Sequence, residues 1–220
     1  MRYEAERSDV AAAARTMLET GLVVNTSGNV SVRIGEHVAI TPSGCPYEDL
    51  APSDIVVLDL DGKPVDGDLV PSSETPLHLS LYKGDESIGA IVHTHSVYAT
   101  AVSTLVDTLP AIHYQIADLG GPVPVAPYRT FGTPELAAVV SDAMKGRHAA
   151  LMQNHGAVTV GDTVDQALSR CITLEWLSRV YLIAQQNGTP SLIDDEELER
   201  VKAQQKKFRG EQKKRLRNRK

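Results

Sequence analysis

The sequence predicts an α/β fold with three layers: a central mixed, largely antiparallel sheet covered by helices on both faces. Three observations carry that expectation. Apolar stretches of period two alternate irregularly with stretches of helical period. Gly35-Glu36 and Asp61-Gly62 read as tight turns that fold a strand back on its neighbour. No βα unit repeats along the chain, which argues against a strictly parallel sheet.

The elements follow in order. Residues 4–20 carry Val10, Ala13, Ala14, Met17 and Leu18 at helical spacing, and Gly21 reads as the stop. A polar loop, Asn25-Thr26-Ser27-Gly28-Asn29, precedes a strand over Val30–Arg33, and the Gly35-Glu36 turn leads into His37–Ile40. Ile55–Leu60 is the next strand, turned by Asp61-Gly62. Pro71-Ser72-Ser73-Glu74-Thr75-Pro76 opens a helix, with serines for the cap and proline in the first turn; it runs to Lys83 and closes at Gly84. Ala90–Val92 is a buried strand, and Ser96–Leu105 has helical spacing. Val123–Val125 is a short strand, and Thr133-Pro134-Glu135 starts a helix closed by Gly146. Strands at Ala149–Met152 and Ala157–Val160 flank Asn154-His155-Gly156. A long helix spans Thr163 to Gln186, ended by Asn187-Gly188-Thr189-Pro190. Residues 191–205 are acidic and then mixed, suited to one more helix. The reading is one domain over 1–205, followed by a mobile basic tail over 206–220.

At 220 residues the chain suffices for one sizeable core. A net charge of -6 gives no overall basic balance for nucleic acid, and 42% apolar residues is ordinary for a globular protein. Cys45 and Cys171 form neither a disulfide framework nor a CxxC pair, which fits a reducing compartment and a cytoplasmic location. No stretch approaches the roughly 20 apolar residues of a membrane span, and Ala11–Ala14 is too short for a signal segment.

The chemistry concentrates at Ile91-Val92-His93-Thr94-His95-Ser96. Residues two apart on an extended segment point the same way, so His93 and His95 can aim at one point. A second apolar run ends in Asn154-His155-Gly156. Three imidazoles converging from two strand ends make a catalytic-type zinc site with an open position; a structural zinc site would close four ligands and favour cysteine. Imidazole also suits other divalent ions.

Three small-residue loops surround this signal: Thr26-Ser27-Gly28-Asn29, Thr41-Pro42-Ser43-Gly44 and Pro71-Ser72-Ser73-Glu74. Singly, each is an ordinary turn composition. Together they offer hydroxyls and bare N–H groups for a phosphate, the third at a helix N-terminus. Glu74 sits where a carboxylate serves as fourth metal ligand or as general base.

The set TSGNVSVR, ITPSG, PYEDL, PSSE, HTH, AIHY, APYRTFGTPEL and NHG resembles the class II (zinc-dependent) aldolase family typified by L-fuculose-1-phosphate aldolase, over about residues 5–185. The resemblance implies one Zn²⁺ per subunit on His93, His95 and His155 with Glu74, and Glu74 as the catalytic acid/base. It implies phosphate and substrate contacts from Thr26, Gly28, Asn29, Ser43, Gly44, Ser72 and Ser73. Phe131 would lie near the aldehyde, and Tyr114 would reach a neighbouring subunit's site to handle the aldehyde-side proton. The expected assembly is a homo-oligomer, a C4 tetramer with active sites between subunits. The expected reaction is reversible cleavage of a ketose 1-phosphate, such as L-fuculose 1-phosphate, to dihydroxyacetone phosphate and an aldehyde such as L-lactaldehyde.

A 5-deoxypentulose-phosphate aldolase would run the same reaction with a shorter aldehyde. The family also holds methylthioribulose-1-phosphate dehydratases, pentulose-phosphate 4-epimerases and the non-catalytic adducin head. Epimerases carry Asp where this chain has Glu74, and an interaction module would lose the metal ligands, which are all present. One departure is visible: the family's tail tyrosine is met here by Lys206-Lys207-Phe208-Arg209-Gly210, so Phe208 offers a ring without a hydroxyl.

Overall fold

The computed structural model describes residues 2–217. The last three residues of the expected basic tail lie outside that range.

Helix α1, Glu4–Glu19, buries Val10, Ala13, Ala14 and Met17, the stripe expected from their spacing. It leads into the hairpin β1, Asn29–Ile34, and β2, His37–Ile40. Strands β3, Val56–Asp59, and β4, Pro64–Asp66, form the hairpin turned by Asp61-Gly62. Helix α2, Thr75–Gly84, precedes β5, Ala90–Thr94, and α3, Val97–Ser103. Then come β6, Thr108–Leu109, a 3-10 turn over Tyr114–Leu119, and β7, Val123–Ala126. Helix α4, Pro134–Ala143, is followed by β8, Ala149–Met152, β9, Gly156–Gly161, and α5, Val164–Gln186. Thr133 and Thr163 cap α4 and α5 by accepting from Leu136 N and Gln166 N.

Among the described residues the strands form one nine-stranded sheet in the order β4-β3-β2-β1-β5-β9-β8-β7-β6. Only β7 and β8 pair in parallel. The expected α/β class with a mixed, largely antiparallel sheet is therefore what forms. Side chains alternate between faces. Val30, Ala39, Val57, Ala90 and Val92 meet α1 and α5. On the opposite face Val38, Ile40, Leu58, Ile91 and Val158 meet α2 and α4.

The final helix, α6, runs from Asp195 to Arg217. The division expected at residue 205 falls inside it. Asp195, Glu196 and Glu197 fill its first turn, favourable against the helix dipole. Arg200 pairs with Glu196 and Glu197, and Lys202 with Glu199, which supports a helix with little apolar surface. Leu198 anchors it to the core around α3 and α5. Phe208 stands exposed on it.

Two features position the site. First, β5 lies between β1 and β9 in the sheet's middle, so its C-terminal end abuts the β8–β9 turn that carries His155. Second, β1 alternates in an unusual way. Val30 faces α1, while Asn29, Ser31 and Arg33 turn toward α2, where Ser31 meets His78 and the Arg33 guanidinium lies 4.8 Å above the Tyr82 ring.

Candidate metal centre and substrate cleft

The i, i+2 spacing does what an extended chain requires. His93 is in the last turn of pairing on β5 and His95 follows one residue past its end. Their Nε2 atoms approach to 2.9 Å. His155 enters from the β8–β9 connection, and the three ring centroids are 4.8, 5.0 and 4.9 Å apart with steeply crossed planes. The backbone makes this approach possible. A Cβ on Gly156 would sit 2.1 Å from Thr94 O, so only glycine lets β9 start this close to the end of β5.

Glu74, just before α2, completes the cluster. Its Oε2 lies 2.6 Å from His93 Nε2 and its Oε1 3.4 Å from His155 Nε2. Donor atoms of all four residues fall within 4.8 Å of one another. Glu74 Oε1 is buried with no hydrogen-bond partner among the described residues, a costly state for a carboxylate oxygen unless something else satisfies it. His93 Nδ1 is held by Ala157 O at 2.9 Å, which fixes its tautomer and leaves Nε2 free to ligate. A buried carboxylate oxygen without a partner and three convergent imidazoles fit a divalent cation.

Two of the three rings titrate in keeping with this, while at His93 burial is outweighed by Glu74, which raises the pKa. Burial, then the neighbouring His93 and His155 rings, pushes His95 down to about 3. Burial, then His93, pushes His155 down to about 4. Both are therefore neutral near pH 7, the ligating form. For Glu74, burial alone would raise the pKa, but the His93 imidazole outweighs it, helped by hydrogen bonds from His93 and Asn29, and holds the carboxyl well below the usual range.

A cavity of about 330 Å³ opens beside the cluster. Thr26, Gly28, Asn29, Ser43, Gly44, Ser72, Ser73 and Phe131 all line it, together with Glu74, His95 and His155. The three loops named from sequence thus meet at one place. Backbone bonds stitch them together: Ser43 N to Val70 O at 2.9 Å, and Ser72 N to Thr41 O at 3.1 Å. Tyr47 donates to Gly28 O at 2.6 Å. Gly28 has φ +81, and a Cβ there would press on His93 O at 2.8 Å, so the first loop rests directly on the histidine strand. Ser72 Oγ accepts from Glu74 N at 3.2 Å.

Tyr114 is not brought into this cavity. It begins the 3-10 turn, about half exposed, with the His113 ring 4.5 Å away and Trp176 edge-on to His113 at 4.9 Å. Tyr128, Arg129 and Asn154 line the cavity without having been assigned a role from sequence. His78 and Tyr82, buried behind Glu74, were also missed. Their signal was present: Glu74, His78 and Tyr82 recur every four residues, one face of a helix.

Fold and site together define a class II aldolase, a carbon–carbon lyase. The chain belongs to the family described as Class II Aldolase and Adducin N-terminal domain, whose profile matches residues 8–182. It is 38% identical over 212 residues to the 5-deoxy-D-ribulose 1-phosphate aldolase of Bacillus thuringiensis serovar kurstaki, covering 96% of this chain and 98% of that one. It is 44% identical over 183 residues to the L-fuculose phosphate aldolase of Escherichia coli K12, covering 82% and 85%. A solved L-fuculose 1-phosphate aldolase superposes with a TM-score of 0.91 at 38% identity, covering 94% of this chain and 98% of that one. The family resemblance drawn from the motifs is borne out. No helix among the described residues is long and apolar enough to cross a membrane.

Proposed function

We propose that this chain is a zinc-dependent aldolase that reversibly cleaves a ketose 1-phosphate, such as L-fuculose 1-phosphate, to dihydroxyacetone phosphate and an aldehyde such as L-lactaldehyde. The observation that carries the reading is the convergence of Glu74 on His93, His95 and His155 at the floor of a cavity walled by three hydroxyl- and glycine-rich loops. Zn²⁺ held by these four residues would supply Lewis-acid stabilisation of negative charge on substrate oxygens.

The rest falls to the protein's own groups. Thr26, Gly28, Asn29, Ser43, Gly44, Ser72 and Ser73 bind the phosphate through hydroxyls, amide and backbone N–H groups, with the start of α2 favouring the anion. In the condensation direction Glu74, held ionised, takes the proton from the carbon next to the ketone of dihydroxyacetone phosphate. That carbon forms the bond to the aldehyde carbon, and the Tyr114 hydroxyl gives a proton to the aldehyde oxygen. Cleavage is the same sequence reversed, with solvent resetting both groups. Phe131 walls the aldehyde end. Tyr114 stands outside the cavity of its own chain, so its role requires a neighbouring subunit, which fits a C4 homotetramer with shared active sites. A cytoplasmic location fits two unpaired cysteines.

A second reading keeps the chemistry and shortens the aldehyde. The Bacillus relative that covers 96% of this chain carries the name of a 5-deoxy-D-ribulose 1-phosphate aldolase. The test is release of dihydroxyacetone phosphate from L-fuculose 1-phosphate and from 5-deoxyribulose 1-phosphate, with zinc-loaded and metal-stripped protein. Metal-dependent release from either establishes the aldolase, and the ratio of kcat/KM names the sugar. No release from folded, zinc-loaded protein would overturn it and direct testing to methylthioribulose 1-phosphate dehydration and L-ribulose 5-phosphate epimerisation.

A further inference from the structure

Behind Glu74 runs a continuous buried hydrogen-bonded chain, of which only Asn29 also lines the cavity. Asn29 Nδ2 donates to Glu74 Oε2 at 3.3 Å. Asn29 Oδ1 is 2.5 Å from His78 Nε2. His78 Nδ1 is 2.6 Å from Ser31 Oγ, and Ser31 Oγ is 2.8 Å from the Tyr82 hydroxyl. Every member is almost wholly excluded from solvent: Asn29 is 4% exposed, Ser31 0%, His78 0% and Tyr82 1%.

The direction of the inner bonds follows from chemistry alone. An ionised carboxylate only accepts, so Asn29 must turn its NH₂ to Glu74. Its carbonyl then faces His78, and a carbonyl also only accepts, so His78 Nε2 must carry a proton. Rotating the amide by half a turn would set Oδ1 against Oε2, two acceptors in contact with no water to relieve them. Glu74 and His78 therefore fix the Asn29 amide from its two ends, the carboxylate by accepting from Nδ2 and His78 by donating to Oδ1.

We propose that His78 is a positioning residue for the aldolase reaction: its Nε2–H locks the Asn29 amide so that Glu74 is held in place for proton transfer. Ser31 and Tyr82 hold the opposite edge of the His78 ring and stop it from turning over. The chain spans β1 and α2, so it ties the first phosphate loop to the carboxylate through the sheet rather than through the cavity. Groups that orient a ligating carboxylate are typically worth about 10–100-fold in activity or metal affinity.

This inference rests on the aldolase reading of Glu74. The test uses the full chain loaded with Zn²⁺. His78→Phe keeps a ring of similar size without a donor, and His78→Gln keeps an N–H donor at similar reach. Expected are a loss of kcat of about tenfold or more in His78→Phe with bound zinc unchanged, and recovery of most of it in His78→Gln. Nitrogen-15 NMR of the unmodified protein should show His78 Nε2 protonated. A folded His78→Phe protein with unaltered kcat overturns the proposal, as does a loss that His78→Gln fails to recover. A bare Nε2 in the unmodified protein also overturns it, and that readout decides the matter if His78→Phe does not fold. Should the unmodified protein cleave no ketose 1-phosphate, the functional reading fails by itself while the Nε2 proton is still read independently.

Discussion

Glu74 Oε2 and His93 Nε2 stand 2.6 Å apart with both side chains buried, so one carboxylate shares the point at which the imidazole would ligate. A residue so placed can serve the metal and the substrate in turn. Replacing Glu74 by Gln keeps shape and one oxygen but removes the base. The expected outcome is near-normal zinc content with turnover down by at least about 100-fold, the usual worth of a positioned acid/base. Metal analysis beside steady-state kinetics checks it, and near-normal cleavage would remove Glu74 from its role.

Tyr114 offers a way to separate the two half-reactions. Tyr114→Phe should slow cleavage about 100-fold, yet leave hydrogen exchange at the carbon of dihydroxyacetone phosphate within a few-fold of the unmodified rate. Exchange needs Glu74 but no aldehyde oxygen. Equal losses in both assays would contradict an aldehyde-side role.

Zinc binding should be visible as stability without any substrate. A ligand bound only by the folded state at 100 times its Kd adds about 2.7 kcal/mol, which for a chain of this size raises Tm by roughly 5–10 °C. Thermal unfolding with and without a chelator measures it. An unchanged Tm, with zinc present and absent, would refute a metal centre built from His93, His95, His155 and Glu74.

The metal-free protein should be sensitive to acid. Burial holds His78 at about 3, His95 at about 3 and His155 at about 4, against roughly 6.5 in an unfolded chain. Folded pKa values below the unfolded value mean that the unfolded state binds more protons between about pH 6.5 and 4. Stability is complete above pH 6.5 and falls as pH drops through that window. His93 is shifted the other way: burial lowers its pKa, but Glu74 more than reverses this. Its contribution is lost as pH rises through its folded pKa and stays constant below 6.5. Urea unfolding of the metal-free protein at pH 7 and pH 5 should therefore show the lower midpoint at pH 5.

Much of the fold was legible because its signals are local. The helical stripes of α1 and α5 and the Gly35 and Asp61-Gly62 turns appear in the sequence at nearly their structural positions. The two-residue β6 is too short to show a period, and the 3-10 turn over Tyr114–Leu119 has no composition of its own. Helix α6 extends well beyond the expected segment, to Arg217, and its first turns are sustained by ion pairs that leave no apolar stripe to read. At the site, motif spacing brought His93, His95, His155 and Glu74 together on the page as they are in space. His78 and Tyr82 escaped notice because a histidine and a tyrosine on a helix are ordinary, and only the polar side of β1 across from them gives them meaning. Tyr128 and Arg129 lie on a loop, where no period marks which side chains turn inward.

The contact between Gly156 and Thr94 O has an evolutionary consequence. The separation of His155 from His93 and His95 is dictated by main-chain pairing in the middle of the sheet. One part of the cavity wall, Tyr128, Arg129 and Phe131, lies on a connection that carries none of the four donors. Relatives named for a deoxypentulose phosphate and for a deoxyhexulose phosphate both align along most of this chain. A change of sugar thus becomes a matter of editing the rim, while the chemistry is inherited with the sheet.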